Sequence, residues 1–367
     1  MNDGKNRHVA FYIGSLKKGG AERVFVNLAR YFVSRGYRVT LVTQYEKENE
    51  YPLPEGAGRV ISDLTREEEG NRIQNLFRRY AKLRRIFKEL RADLVLSTIG
   101  KNNFMAILAN LLTPTRVVVS VVAEPTEEYP SAGMRFLART LFYLADGIVM
   151  QTRDAVRFFQ PSLQKRCTIL KNSVNPAFLR PRYEGRRPQD LVAVGRMDEN
   201  KNQAMAIRAF ARVAGEFPES RLILYGDGPL RGRLGQLARE LGLEDRVLLP
   251  GAVDDVAGRI ERAWAFLLTS FTEGMPNTLL EAMSLGLACI STDCPCGGPK
   301  DLIEDGVNGY LVKPDDDEGL AARLRELLSD PEKADRMGRE AAHLQESYSP
   351  QRVNREWEAY FSGIWLA

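Results

Sequence analysis

The feature that most constrains this chain is a rhythm. Apolar runs of strand length alternate with segments of helical period, and the alternation occurs twice. "HVAFYIG" is a strand-length run. A helical segment follows, with Val24, Leu28 and Phe32 on one face and a stop at Gly36, and then a second strand, "RVTLVTQ". Strand, glycine turn, helix and strand make a βαβ unit, and such units build parallel sheets. The pattern recurs through "ADLVLSTIG", "FMAILANLL", "RVVVSVV", "MRFLARTLFYLADG" and "GIVMQT". It breaks at "CTILKNSVNPAFLRPRYEGRRPQD", where prolines, asparagines and charges crowd together. A second series then runs from "DLVAVGR" to "GYLV". A length of 367 residues exceeds the roughly 100–200 of one domain. The expected architecture is α/β, with two Rossmann-like domains facing each other across a cleft. The first covers residues 1–175, a linker 176–188, and the second domain 189–349. Ligands in such sheets bind at the carboxyl ends of strands, where all the unusual loops fall.

Composition narrows the function classes. Apolar content of 44% and charged content of 27% fit a globular protein. A net charge of +4 is too mild to argue for nucleic acid. Cys167, Cys289, Cys294 and Cys296 are too few for a disulfide framework and lack a histidine cluster for zinc. Reduced thiols in a cytoplasmic protein are expected. "MNDGKNRHVAFYIG" lacks the apolar core of a signal peptide, and no apolar run approaches the ~20 residues of a membrane helix.

Four loops carry candidate chemistry. Gly19 and Gly20, in "IGSLKKGGAER", stand between a strand and a helix, where glycine lets backbone approach an anion. A plain tight turn reads equally well. Arg196 and Lys201, in "AVGRMDENKN", are cations at a strand end before a helix, which suits a diphosphate or a solvated surface. Gly226, Asp227 and Gly228 form a turn that leads into a helix, with Asp227 able to cap it. The fourth is "TSFTEGMPNTLLEAMSLGLACI". Its Glu273 precedes a helix, and Glu281 lies within one, among Leu280, Ala282 and Met283. A buried carboxylate needs hydrogen-bond donors. A ribose diol supplies two, and a buried arginine is the alternative.

Taken together, "GGAER", "GRMDENKN", "GDGPL" and "TEGMPNTLLEAMSLGLACISTDCPCGGPKDLI" resemble the retaining glycosyltransferases of family 4, of GT-B fold. The resemblance runs along nearly the whole chain, and it is closest to members extending polyprenyl-diphosphate-linked glycans. It implies that Gly19 and Gly20 approach the donor phosphates and the acceptor, and that Arg196 and Lys201 clamp the diphosphate. It implies that Glu273 and Gly274 meet the donor sugar. Asn277, Thr278 and Leu279 would bring a helix N-terminus to the phosphates. Gly226 and Val253 would line the nucleotide, with Val253 offering backbone to the base, and Glu281 would bind the ribose. The helix over residues 350–367 would cross back to the first domain. Retention, a nucleotide-sugar donor (a UDP-sugar carrying an N-acetylhexosamine or hexose) and no metal or cofactor complete the implication. Relatives often place Glu and then His or Arg after the strand "VVVS". Here Val121 and Val122 hold those places, with Glu124 the nearest polar residue.

The acceptor is read from "NRIQNLFRRYAKLRRIFKELRADL". Ile73, Leu76, Phe77, Tyr80, Leu83, Phe87 and Leu90 make one helical stripe, and Arg78, Arg79, Lys82 and Arg85 belong to a crowded basic remainder. A basic amphipathic helix suits an anionic membrane or a lipid phosphate; an ordinary packed helix is the other reading. The expected partner is a polyprenyl-diphosphate-linked saccharide, with the protein peripheral at the inner membrane face and no nucleic acid involved. A GDP-mannose-dependent transferase and a catalytically weak nucleotide-binding scaffold are the competing readings. A nicotinamide dehydrogenase fails on the missing G-x-G-x-x-G. A GT-B epimerase or phosphorylase sits poorly with the intact pair of glutamates.

Overall fold

The computed structural model describes residues 7–366 and divides into two compact units. One comprises the chain up to Asn172 together with the residues from Val353 onward; the other is Ser173–Arg352.

The first unit is built on a seven-stranded, all-parallel sheet. Its strands are β1 (His8–Ile13), β2 (Arg38–Thr43), β3 (Gly58–Ile61), β4 (Leu94–Thr98), β5 (Arg116–Val121), β6 (Gly147–Met150) and β7 (Cys167–Ile169), in the order β3-β2-β1-β4-β5-β6-β7. β1 is buried along its whole length, which explains why it reads as an unbroken apolar run rather than an alternation. Helix α1 (Gly20–Ser34) buries Phe25, Leu28 and Phe32 and ends at Gly36, whose φ of 88° is cheap only for glycine. Helix α2 (Arg72–Leu90) starts on a reciprocal cap. Asn71 Oδ1 accepts from the Gln74 N–H at 3.0 Å, and Gln74 Oε1 accepts from the Asn71 N–H at 3.2 Å. Helices α3 (Lys101–Asn110), α4 (Pro125–Glu128) and α5 (Ala132–Leu141) complete the βα alternation as far as β6.

The second unit has six parallel strands: β8 (Asp190–Val194), β9 (Arg221–Tyr225), β10 (Val247–Gly251), β11 (Ala265–Leu268), β12 (Ala288–Thr292) and β13 (Tyr310–Val312). Their order is β10-β9-β8-β11-β12-β13. Its strands send alternate side chains to two cores. Leu191, Leu222, Leu224 and Leu267 enter one, and Val192, Ile223, Phe266 and Leu268 the other. Both faces are therefore covered by helices.

Two expectations change. The stretch 176–188 is not a free linker. Val174 and Phe178 are buried in a core of the second unit, and Arg187 donates to the carbonyls of Glu261 and Ala263 at 2.7 and 2.9 Å. Its prolines and charges mark an irregular packed strap. The α2 stripe also holds for only part of its length. Leu83 and Phe87 are buried, as is Ile86, but Ile73, Leu76 and Phe77 are 60–70% exposed because the first turns of α2 run past their packing partners. The C-terminal helix Pro350–Leu366 lays Val353, Trp357 and Phe361 into the core of the first unit, with Phe361 stacked on Phe32 at 5.2 Å between centroids.

Candidate active site

In the second unit the strand order reverses at β8, which pairs with β9 on one side and β11 on the other. Ligands bind at such a switch point, outside the carboxyl ends of the strands. The loops there are 195–202 after β8, 226–230 after β9, 252–255 after β10 and 269–276 after β11.

Backbone contacts lock the first three together. The Gly195 N–H donates to Tyr225 O at 3.0 Å, Met197 N–H to Asp227 O at 2.9 Å, and Gly226 N–H to Gly251 O at 2.9 Å. Glycine is required at two of these contacts. A Cβ on Gly226, whose φ is 128°, would lie 1.9 Å from the Gly195 oxygen; one on Gly228 would lie 2.3 Å from that of Met197. Asp227 does not cap the following helix. Its carboxylate accepts from the Gly228 N–H at 2.8 Å and stands 3.7 Å from Arg231.

The fourth loop is joined to the first by side chains. Asn200 donates to Thr272 O at 3.1 Å, and its Oδ1 accepts from the Thr272 N–H at 3.0 Å. Lys201 Nζ lies 2.5 Å from Glu273 Oε1, and the Ser270 hydroxyl donates to the same oxygen at 2.5 Å. The Glu273 N–H donates to Pro295 O at 2.7 Å. Arg196 is paired with Asp198 yet three-quarters exposed, whereas Glu273 is largely covered. Both expected cations thus come with a resident carboxylate. Each cation is thereby held in place by its own acid, and an anion reaching it has to exchange for that carboxylate.

Helix Asn277–Ser284 begins at the same sheet edge, with Pro276 just before it, so Asn277, Thr278 and Leu279 present the first N–H groups. Glu281 is 4% exposed, and Leu279, Leu280, Ala282 and Met283 are buried around it. Gly274 is pinned from behind, because a Cβ on Gly298 would come within 1.6 Å of its oxygen. Val253 is partly buried beside the core under β10. A cavity of about 900 Å³ lies at the other end of the sheet, among Asp190, Arg221, Ala288 and Trp264. It opens at the amino ends of β8, β9 and β12, away from the carboxyl-end loops of the switch point.

In the first unit, Gly19 caps α1 in an extended conformation. The Glu22 carboxylate folds over it, 2.4 Å from where a Cβ would sit, and burial raises its pKa. An anion at this helix start has to displace that carboxylate. Three of the four basic residues singled out on α2 are tied down. Arg78 donates to Glu68 O, Arg79 pairs with Asp63 at 2.7 Å, and Lys82 reaches Asp63 O and Glu68. Arg85 stands exposed. Glu124 is a local cap, accepting from the Thr126 hydroxyl at 3.0 Å.

Sequence reasoning missed Glu128. Its carboxylate accepts from the N–H groups of Val122, Ala123 and Gly100 at 2.7, 2.8 and 2.9 Å, and so ties the loop after β5 to the loop after β4. Burial pushes its pKa up while the three N–H donors pull it back. Val121 and Val122, at the end of β5, thus have an internal carboxylate beside them.

Comparison with known proteins agrees with this geometry. A family described as Glycosyl transferases group 1 matches residues 181–344, and a Glycosyl transferase 4-like domain matches 19–164. A Campylobacter jejuni alpha-1,4-N-acetyl-D-galactosaminyltransferase, named for GalNAc-alpha-(1->4)-GalNAc-alpha-(1->3)-diNAcBac-PP-undecaprenol, is 28% identical over 95% of this chain and 96% of its own. A second, named for N-acetylgalactosamine-N,N'-diacetylbacillosaminyl-diphospho-undecaprenol, is 26% identical over 97% and 99%. The solved structure of Anabaena HepE with UDP and glucose superposes with a TM-score of 0.82 at 18% identity, covering 97% of this chain and all of that one. With two parallel Rossmann-like units and a glycosyl transferase match to each, the chain belongs to the group 1 glycosyl transferases and has the GT-B fold.

Proposed function

We propose that this glycosyltransferase moves an N-acetylhexosamine or hexose from a UDP-sugar to a polyprenyl-diphosphate-linked glycan, with retention and without a metal, as a peripheral protein of the inner membrane face. The observation that carries the proposal is the coupling of Lys201 to Glu273 across the switch point, beside the start of helix Asn277–Ser284 and the buried Glu281. The names of the Campylobacter relatives support the acceptor class and the sugar. HepE, solved with UDP and with UDP-glucose, supports the base.

As the sugar–phosphate bond breaks, negative charge gathers on the leaving diphosphate and positive charge on the sugar. Arg196, Lys201 and the N–H groups of Asn277, Thr278 and Leu279 are aimed at the first of these charges. Glu273, released from Lys201 when the diphosphate takes that cation, is left to hydrogen-bond the sugar. The acceptor hydroxyl attacks on the face the diphosphate leaves, and a diphosphate oxygen takes its proton. Glu281 receives the ribose hydroxyls.

No helix of the described residues is long and apolar enough to cross a membrane. Exposed Ile73, Leu76 and Phe77 on the basic helix α2 support a peripheral association. The experiment is calorimetric titration with UDP and GDP in EDTA, followed by turnover of UDP-sugars on an undecaprenyl-diphosphate-linked acceptor. Binding of UDP alone, with product of retained anomeric configuration by NMR, is the expected result. Preferential binding of GDP redirects the reading to a mannosyl donor. UDP binding without turnover leaves a nucleotide-binding scaffold.

A further inference from the structure

The first sheet places α2, α3 and α5 in one layer. The connections from β3 to β4, β4 to β5 and β5 to β6 all run the same way across the sheet, so right-handed crossovers put their helices on one face. α3 sits between the other two, packed against both. It is mostly buried, whereas α5 buries only Ala138.

The outer side of α5 and the turn after it carry an exposed apolar stripe, with the Tyr143 hydroxyl bonded to Ser162 and to Gln160. Phe136, Leu137, Tyr143 and Leu144 are 67, 41, 41 and 54% exposed, and their spacing, continued through the turn Phe142–Leu144, is that of one helix face. Three guanidinium groups flank the stripe, and backbone carbonyls rather than carboxylates hold them. Arg135 donates to Pro130 O at 2.8 Å. Arg139 donates to Phe158 O at 3.1 Å and lies 4.7 Å over its ring. Arg166 donates to Tyr143 O and Ala145 O at 2.8 and 2.6 Å. The nearby acid Asp146 is already taken by Arg116 at 2.8 Å.

From this we infer that the α5 face is a second apolar anchor, inserting into an anionic bilayer beside the exposed start of α2. The inference rests on the peripheral reading proposed above. Uncompensated cations around an apolar stripe complement acidic headgroups, with the arginines at headgroup level and Phe136 and Leu144 at the acyl boundary. A second copy of the chain fits worse, since a twofold contact turns this basic rim toward the same basic rim of the other copy. The two patches, carried by helices of one layer, can meet one surface together, while α1 and the C-terminal helix lie on the sheet's other face.

The test is sedimentation with vesicles of phosphatidylglycerol and phosphatidylcholine, against phosphatidylcholine alone. The triple variant Phe136→Ser, Leu137→Ser, Leu144→Ser removes only exposed groups. It is expected to melt as the wild type does and to partition at least tenfold less onto the anionic vesicles. Wild-type binding with an unaffected triple variant overturns the inference and leaves α2 as the anchor. Equal wild-type binding to both vesicle types overturns it as well, and so does a triple variant that turns a wild-type dimer into a monomer while vesicle binding persists. A wild type that binds neither vesicle instead brings down the peripheral reading itself. Should the triple variant misfold, Leu144→Cys carrying an environment-sensitive dye replaces it. A blue shift on adding anionic vesicles supports insertion, and no shift overturns it.

Discussion

Lys201 and Glu273 neutralise each other before any substrate arrives, so substitutions at the two positions are unequal. Lys201→Ala removes the cation proposed to meet the diphosphate and leaves Glu273 with only the Ser270 hydroxyl among these side-chain partners. UDP affinity should fall at least tenfold by calorimetry, a loss of about 1.4 kcal/mol or more. Gly226→Ala acts through backbone. Its Cβ meets the Gly195 oxygen and its φ is unsuited to alanine, so the loops after β8 and β9 must part. Both a lower melting temperature and a raised donor KM are expected. An alanine variant with wild-type values of both would show that the two loops do not depend on their contact. These residues were legible because each follows an apolar strand at a fixed offset. Glu128 was not, since its donors at Gly100, Val122 and Ala123 become its neighbours only when two loops fold side by side. The carboxylates that accompany Arg196 and Lys201 were hidden for the same reason; spacing shows a charge but not what neutralises it.

Among the elements, the C-terminal helix carries large side chains into a core whose other members lie hundreds of residues earlier. Phe361→Ala should cost about 3–5 kcal/mol in chemical denaturation of the first unit, the usual range for a fully buried aromatic. A second prediction concerns helices Asp317–Ser329 and Pro331–Ala342, joined through Glu326. Lys333, together with Tyr310 at 2.7 Å and Arg323 at 2.9 Å, holds the Glu326 carboxyl down to about 2 from an ordinary 4.5. A depressed carboxyl stabilises the fold above its unfolded value and loses that contribution as pH falls toward its folded one. Lys333→Met should therefore shift the acid-unfolding midpoint of the second unit upward, and leave stability least changed below pH 2, where the carboxylate is protonated in both proteins. Helical period identified α1 and half of α2 correctly. It fails for the first turns of α2 because a stripe says which residues share a face, not how far along the helix a neighbour reaches. The same blindness concealed the bare face of α5, which in sequence looks like any packed amphipathic segment.

For the whole molecule, the doubled strand–helix rhythm was enough to give two parallel sheets, since helices covering both faces leave a buried strand no room for polar alternation. The stretch from Pro176 to Pro188 misled because prolines and charges signal irregular backbone, and irregular backbone can be packed as tightly as regular. The same chain path has a consequence for synthesis. The sheet of the first unit is made first, yet Trp357 and Phe361, which close its core, belong to a helix that follows the entire second unit. On the ribosome, the earlier unit stays unsealed while some 180 residues of the later one are made and folded, so the part translated first is the last to become stable. A frameshift after residue 349 would then injure the sheet of the first unit, whose strands are encoded long before the lesion.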